Sequence, residues 1–278
     1  MTVLSSFLLG LIQGISEFLP ISSSGHLSIA QNLLNIQAAG EENLTFTVLL
    51  HLGTLFAVFV AYWSDIRDMI LEFFRAVDDL VHHRSTVQTP PARRLMLMVI
   101  IGTLPLFLVL PFQDLLDQLS GNTLFIGCAL LVTGGLLFAS DRVRRGNKTE
   151  KTATIKDTLL VGAAQAIATC PGISRSGMTI CAGTFLGFER KYAVRFSFLL
   201  SIPAVLGANL LDAVDVVRGA AEPLPLLPCV VGVLTAAVSG YCCIRLIRMI
   251  ADKGRFGWFA YYCWAVGILT IGLTLYLK

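Results

Sequence analysis

Charge is the scarcest property of this sequence: only 14% of its 278 residues are Asp, Glu, Lys or Arg. A soluble domain carries about 25%, so a fully water-facing surface is excluded. The few charges nearly cancel, to a formal net of +3. No basic tract is long enough to follow a nucleic-acid backbone, and nucleic acid is not an expected partner. Cysteine is present without a pattern. The seven residues (Cys128, Cys170, Cys181, Cys229, Cys242, Cys243 and Cys263) sit mainly in apolar segments, and an odd number excludes a complete disulfide set. None has metal-cage spacing, so they read as small buried apolar residues. The marks of a cleaved leader are also missing. No basic residue precedes the first apolar run, which itself carries Gln13 and Glu17, so that segment reads as part of the mature protein.

What remains is apolar sequence: 55% hydrophobic residues and a mean hydropathy of +0.74. The runs approach the ~20 residues that cross a bilayer as a helix. They are too long and continuous for alternating barrel strands, which leaves helices as the way to satisfy the backbone in lipid. The fold class expected is therefore an all-α polytopic membrane protein. Full spans are predicted near residues 44–63, 93–110, 121–139, 192–213, 225–249 and 256–277, with polar linkers at 64–92 and 140–156. Tyr62, Trp63 and Trp258 read as interfacial anchors.

Two segments, 1–36 and 157–187, behave differently. Each is interrupted near its middle by proline, glycine and serine, and neither flank reaches a membrane length. Such a break suits a re-entrant hairpin. The interruptions match one another. Gln13-Gly14-Ile15-Ser16-Glu17-Phe18-Leu19-Pro20-Ile21-Ser22-Ser23-Ser24-Gly25-His26 aligns with Gln165 to Met178 at a constant offset of 152 residues, Gln165 minus Gln13. Under that shift Ser22, Ser24 and Gly25 fall on Ser174, Ser176 and Gly177, and Gly10 falls on Gly162.

The basic residues cluster at Arg142, Arg144, Arg145, Lys148, Lys151 and Lys156, and again at Arg245, Arg248, Lys253 and Arg255. Placing both clusters in the cytoplasm closes the topology, with both termini outside. Each half then holds one re-entrant hairpin plus three transmembrane helices, and an odd number of spans inverts the second half. The expected organisation is one integral membrane domain, 1–278. Residues 1–140 form the first repeat, 141–156 a cytoplasmic linker and 157–278 the second, inverted repeat.

Polar groups inside a membrane are costly and mark function. A serine capping a helix after Pro20 or Pro171 exposes unpaired N–H groups and the positive pole of a helix dipole, which suits an anion such as phosphate. Arg175 adds a guanidinium able to grip phosphate through two parallel bonds. Glu17, His26 and the serines between them supply the parts of a nucleophilic site. His51 reads as a packing residue within a span.

At these residues the chain resembles the bacitracin-resistance family of undecaprenyl-diphosphate phosphatases. The elements that carry the resemblance are Gln13-x-x-x-Glu17, Pro20 to His26 and Pro171-Gly172-Ile173-Ser174-Arg175-Ser176-Gly177-Met178-Thr179. The resemblance runs over nearly the whole chain. It implies a hydrolase that removes the terminal phosphate of undecaprenyl diphosphate to give the monophosphate carrier for peptidoglycan and other envelope polymers. The implied location is the bacterial cytoplasmic (inner) membrane, with a site opening to the periplasmic or extracellular side.

By the same resemblance Ser23 is the expected nucleophile, assisted by Glu17 and His26, with Arg175 binding the diphosphate. The alternative is His26 as the nucleophile or direct attack by water. Gln13, Ser22, Ser24, Gly25, Ser174, Ser176, Gly177 and Thr179 are the expected substrate-binding set. The family implies a divalent cation, Mg²⁺ or Ca²⁺, for which Glu17 is the candidate ligand. Its expected partners are the lipid diphosphate and the membrane, with a homodimer as a candidate assembly. The alternative from another class is a flippase for undecaprenyl phosphate, which would use the same anion site without a nucleophile.

Overall fold

The computed structural model describes residues 2–32, 42–82, 89–218, 225–253 and 256–277. Residues 33–36 of the first predicted hairpin, and 83–88 and 254–255 in or beside two basic loops, lie outside the described residues. The described residues are helical nearly throughout. An isolated bridge between Lys148 and Phe188 is the one strand-like pairing among them.

Helices α1 (Val3–Phe18) and α2 (Ser23–Asn32) form the first hairpin, α8 (Ile155–Ile167) and α9 (Arg175–Phe185) the second. At 1.5 Å per residue even α1 reaches only about 24 Å, short of the ~30 Å hydrocarbon core. Between and after the hairpins run α3 (Glu42–Ala61), α4 (Trp63–Val81), α5 (Pro91–Thr103), α6 (Gln113–Ser120), α7 (Thr123–Ser140), α10 (Arg190–Arg218), α11 (Leu226–Lys253) and α12 (Gly257–Tyr276). Five stretches are long and apolar enough to cross a membrane: Pro91–Ser120, Thr123–Ser140, Arg190–Leu210, Leu226–Lys253 and Gly257–Tyr276. The apolar part of α3 becomes a sixth when joined to α4, from which it is bent by 84°.

Three expectations are corrected here. The predicted linker 64–92 is largely helix α4, because its charges alternate with apolar residues at helical spacing. Phe73, Phe74, Val77 and Leu80 are exposed, while Glu72 is buried between Arg75 and Arg93. The predicted span 93–110 continues to Ser120 through a 3₁₀ segment, Leu104–Phe112, that holds Pro105 and Pro111. Proline has no N–H to close an α-turn, so two of them six residues apart unwind the middle of this span. Tyr62 is buried rather than interfacial, with the Arg248 guanidinium 3.8 Å from its ring centroid, whereas Trp63 and Trp258 are exposed.

The helices approach closely where glycine allows it. A Cβ on Gly10 of α1 would strike the carbonyl of Gly232 in α11. A Cβ on Gly162 of α8 would strike the carbonyl of Gly102 in α5. The two glycines related by the sequence offset thus do matching work, each letting its helix pack against one from the other part of the sequence.

One face of the bundle gathers the cross-linking charges. Arg195 donates to Asp65 at 2.6 Å, Arg190 to Asp141 at 3.1 Å, and Arg94 to the carbonyl of Ala153 at 2.7 Å. Asp141 also accepts the N–H of Phe256 at 3.0 Å, and Arg248 donates to the carbonyl of Ala61 at 2.8 Å. Lys148 pairs with Asp157 at the start of α8, and its carbonyl accepts from Glu189 just beyond α9. Elsewhere Ser28 of α2 donates to the carbonyl of Ser120 at the end of α6, at 2.7 Å.

Candidate active site

The two interrupted turns fold alike. Ser22 accepts the N–H of Gly25 at 3.2 Å, and Ser174 accepts that of Gly177 at 3.1 Å. The neighbouring hydroxyls pair similarly, Ser22 with Ser24 at 3.4 Å and Ser174 with Ser176 at 3.3 Å. Each turn therefore caps a short helix and aims its first-turn N–H groups at the break. They differ in strain: Ser22 sits at φ +74°, a left-handed conformation uncommon for a residue with a Cβ, while the positive φ of the second turn falls on Gly172, at +86°.

The turns touch. Gly172 donates its N–H to Ser24 at 3.4 Å, and Ser176 donates to the carbonyl of Leu19 at 3.3 Å. Thr133 of α7 accepts the N–H of Ser174 at 3.2 Å and so holds the second turn from behind. Where the turns meet lies a cavity of about 260 Å³ walled by Glu17, Ser23, Ser24, His51, Gln165, Ser174, Arg175 and Asn209, among others.

Within it, Ser23 donates its hydroxyl proton to Glu17 at 2.6 Å. The same carboxylate accepts from Gln13 at 3.1 Å and pairs with the Arg175 guanidinium across the interface of the two hairpins. Glu17 is 6% exposed and Arg175 25%, so the carboxylate is enclosed while the guanidinium still faces the cavity. Arg175 is the first residue of α9, where the helix dipole adds to its own positive charge. A hydroxyl, a carboxylate and a guanidinium thus converge on one cavity, groups of the kinds that can serve phosphoryl transfer.

The other expected residues are placed around this centre. Ser22, Gly25, Ser176 and Gly177 build and join the turns. Thr179 is buried and meets Ser197 of α10 at 2.6 Å, tying α9 to α10. His26 lies outside the cavity wall. Its Nδ1 is 2.7 Å from the carbonyl of Ser22 and its Nε2 2.8 Å from the hydroxyl of Tyr262, with the two rings stacked. A carbonyl only accepts, which puts the proton on Nδ1 and leaves Nε2 to accept from Tyr262. His26 therefore braces the strained serine.

His51, expected as a hydrogen-bonded packing residue within a span, does bond Nδ1 to the carbonyl of Thr47 at 2.8 Å, and it also lines the cavity. Ser16, Gln165, Thr169 and Asn209 also line it and were not singled out by the sequence. For Gln165 a signal existed, since it is the offset partner of Gln13.

The donor set does not make a resident divalent-cation site. Mg²⁺ or Ca²⁺ takes about six to eight oxygen ligands. Here Glu17 is the one carboxylate in the wall, and both its oxygens are engaged by Gln13, Ser23 and Arg175. Among the described residues no cluster of three His, Cys, Asp or Glu is arranged to hold a metal.

Beside the polar cavity lies a larger apolar one of about 550 Å³, walled by the 3₁₀ segment, α6 and α10. The two share Ser24, Leu106, Thr169, Ala204 and Ala208. A charged head and a hydrocarbon tail joined end to end match this pair of spaces.

Comparison with known proteins agrees with that reading. The family model described as "Bacitracin resistance protein BacA" matches residues 6–269. An undecaprenyl-diphosphatase of Methanosphaera stadtmanae is 41% identical over 99% of both chains. One from Alkaliphilus metalliredigens is 40% identical over 99% of this chain and 100% of its own, and an undecaprenyl-diphosphatase 4 of Bacillus cereus is 39% identical over 98% of each.

Proposed function

The chain belongs to the bacitracin resistance protein BacA family, and on that footing we infer that it hydrolyses undecaprenyl diphosphate to undecaprenyl phosphate and phosphate. The observation that carries this reading is the Ser23–Glu17–Arg175 arrangement, 2.6 Å from hydroxyl to carboxylate with the guanidinium alongside. Ser23 attacks the terminal phosphorus while Glu17 takes its proton. Arg175 and the first-turn N–H groups of α2 and α9 hold the phosphoryl oxygens, and water then hydrolyses the phosphoserine. His26 assists by fixing the Ser22 carbonyl and hence the angle of Ser23. The prenyl chain lies in the apolar cavity.

The same geometry supports a location. The ion pairs that tie the basic loops together define one face, and the positive-inside rule makes it cytoplasmic. Both ends of the second hairpin reach that face near Lys148, whereas α2 of the first is anchored to Ser120 at the end of α6. Hairpins entering from opposite sides are what an inverted repeat produces. The apolar cavity extends toward Gln113, Asp117 and Ser120, on the outer side in this reading. The membrane is then a bacterial inner membrane and the site opens outward.

The test is phosphate release from undecaprenyl diphosphate by purified protein. Release by wild type, lost in Ser23→Ala with lipid binding retained, supports the hydrolase. No release together with movement of undecaprenyl phosphate across liposomes would establish a flippase instead.

A further inference from the structure

Eight buried side-chain atoms lack a hydrogen-bond partner among the described residues, and three belong to two residues of the polar cavity. They are Nε2 and Oε1 of Gln165, on α8, and Nδ2 of Asn209, on α10. Gln165 has no solvent exposure and Asn209 is 6% exposed. A buried polar atom left unpaired is costly, because the water it gave up is not replaced. Two carboxamides from different helices facing one cavity are therefore open to a ligand: their N–H groups can donate to its acceptors, and the Gln165 oxygen can accept from a protonated oxygen.

The position of Asn209 selects which acceptors. Its neighbours Ala208 and Leu210 line the apolar cavity, as does Gly207 two residues before it, so Asn209 stands where the polar space meets the apolar one. In a lipid diphosphate that junction is the inner phosphate, the one that stays with the hydrocarbon. The terminal phosphate is claimed by Ser23 and Arg175.

We propose that Gln165 and Asn209 form a subsite for the inner, leaving-group phosphate of the substrate. This rests on the phosphatase reading. As the Ser23 oxygen bonds to the terminal phosphorus and its proton passes to Glu17, the bond from that phosphorus to the bridging oxygen breaks. The electron pair stays on the bridging oxygen, which departs as part of the lipid monophosphate. Amide N–H groups at that oxygen or its neighbours meet the charge as it develops. Being neutral, they hold the monophosphate product less tightly than a second arginine would, which favours its release.

Titration calorimetry on the full-length protein in detergent tests the subsite without relying on turnover. The probes are methylenediphosphonate, whose P–C–P bridge resists hydrolysis, and orthophosphate, which occupies one phosphate position. Asn209→Leu and Gln165→Met should each weaken methylenediphosphonate by about 10-fold or more, as expected for one lost partner. Orthophosphate should weaken by less than about 2-fold. Asn209→Ala, smaller and uncharged, guards against misfolding by an overpacked side chain: it should show the same selective loss while keeping the wild-type melting temperature. Equal weakening of both probes, no weakening of methylenediphosphonate, or no binding of it by wild type would overturn the subsite. A wild-type protein that binds both probes but releases no phosphate from undecaprenyl diphosphate would sink the phosphatase reading instead, so the two failures are separable.

Discussion

The turn at Pro20–His26 and the turn at Pro171–Met178 share a cap, a hydroxyl pair and a sequence register, yet they carry different chemistry. At the position where the first has Ser23 the second has Arg175, and where the first has His26 the second has Met178. In the proposed mechanism the first turn supplies the group that reacts, with the Glu17 carboxylate beside it, while the second supplies the charge that binds. A symmetric scaffold can thus build an asymmetric site by changing side chains at matched positions and leaving the caps alone. The left-handed backbone has also settled differently, on Ser22 in one turn and on Gly172 in the other. Strain accompanies the reacting half, and His26 with Tyr262 braces it.

The sharpest way to break this division is to remove the reacting group. Ser23→Ala should lower kcat for phosphate release by at least about 10³-fold, with the substrate affinity little changed. Arg175→Lys keeps a positive charge but loses the two-pronged grip, and should cost about 10²–10³-fold in kcat/KM, with a clear rise in KM. If Arg175→Lys instead left KM untouched and Ser23→Ala raised it, the assignment of reaction to one turn and binding to the other would be reversed.

Much of this arrangement could be read from the residues alone, for a physical reason. Polar groups are so costly in lipid that Glu17, Arg175 and the serines stand out against apolar flanks, and their spacing gives away the caps. Other features were masked. His51, Gln165 and Asn209 face the cavity from long or apolar helices, and which way a single polar side chain points depends on packing by distant helices. The α4 helix was hidden by its charges, which suggested a solvated loop although their spacing is helical. The 3₁₀ segment was hidden for the opposite reason, since Pro105 and Pro111 sit in a run apolar enough to pass as one regular span.

The bracing of the first turn makes a smaller prediction. Tyr262→Phe removes the hydroxyl that meets His26 at 2.8 Å but keeps the stacked ring. Activity should fall by only about 3–10-fold, in line with one hydrogen bond of about 0.5–1.5 kcal/mol. His26→Ala, which also frees the Ser22 carbonyl, should cost clearly more. Equal losses would mean that the histidine works through the tyrosine alone.

The smallest effect tests what the turns have in common. Ser22→Ala and Ser174→Ala each delete an N-cap acceptor, at 3.2 Å from Gly25 and 3.1 Å from Gly177. Each should lower stability by about 1 kcal/mol, seen as similar drops in melting temperature in detergent. Their effects on activity should differ, because a loosened first turn moves Ser23, whereas the second turn keeps a further hold through Thr133. Matched losses of stability with unmatched losses of activity follow if the scaffold is symmetric and the chemistry is not. A much larger destabilisation from Ser22→Ala would place the asymmetry in the backbone itself, at the strained serine, and would make the reacting turn the less stable half of the protein from the outset.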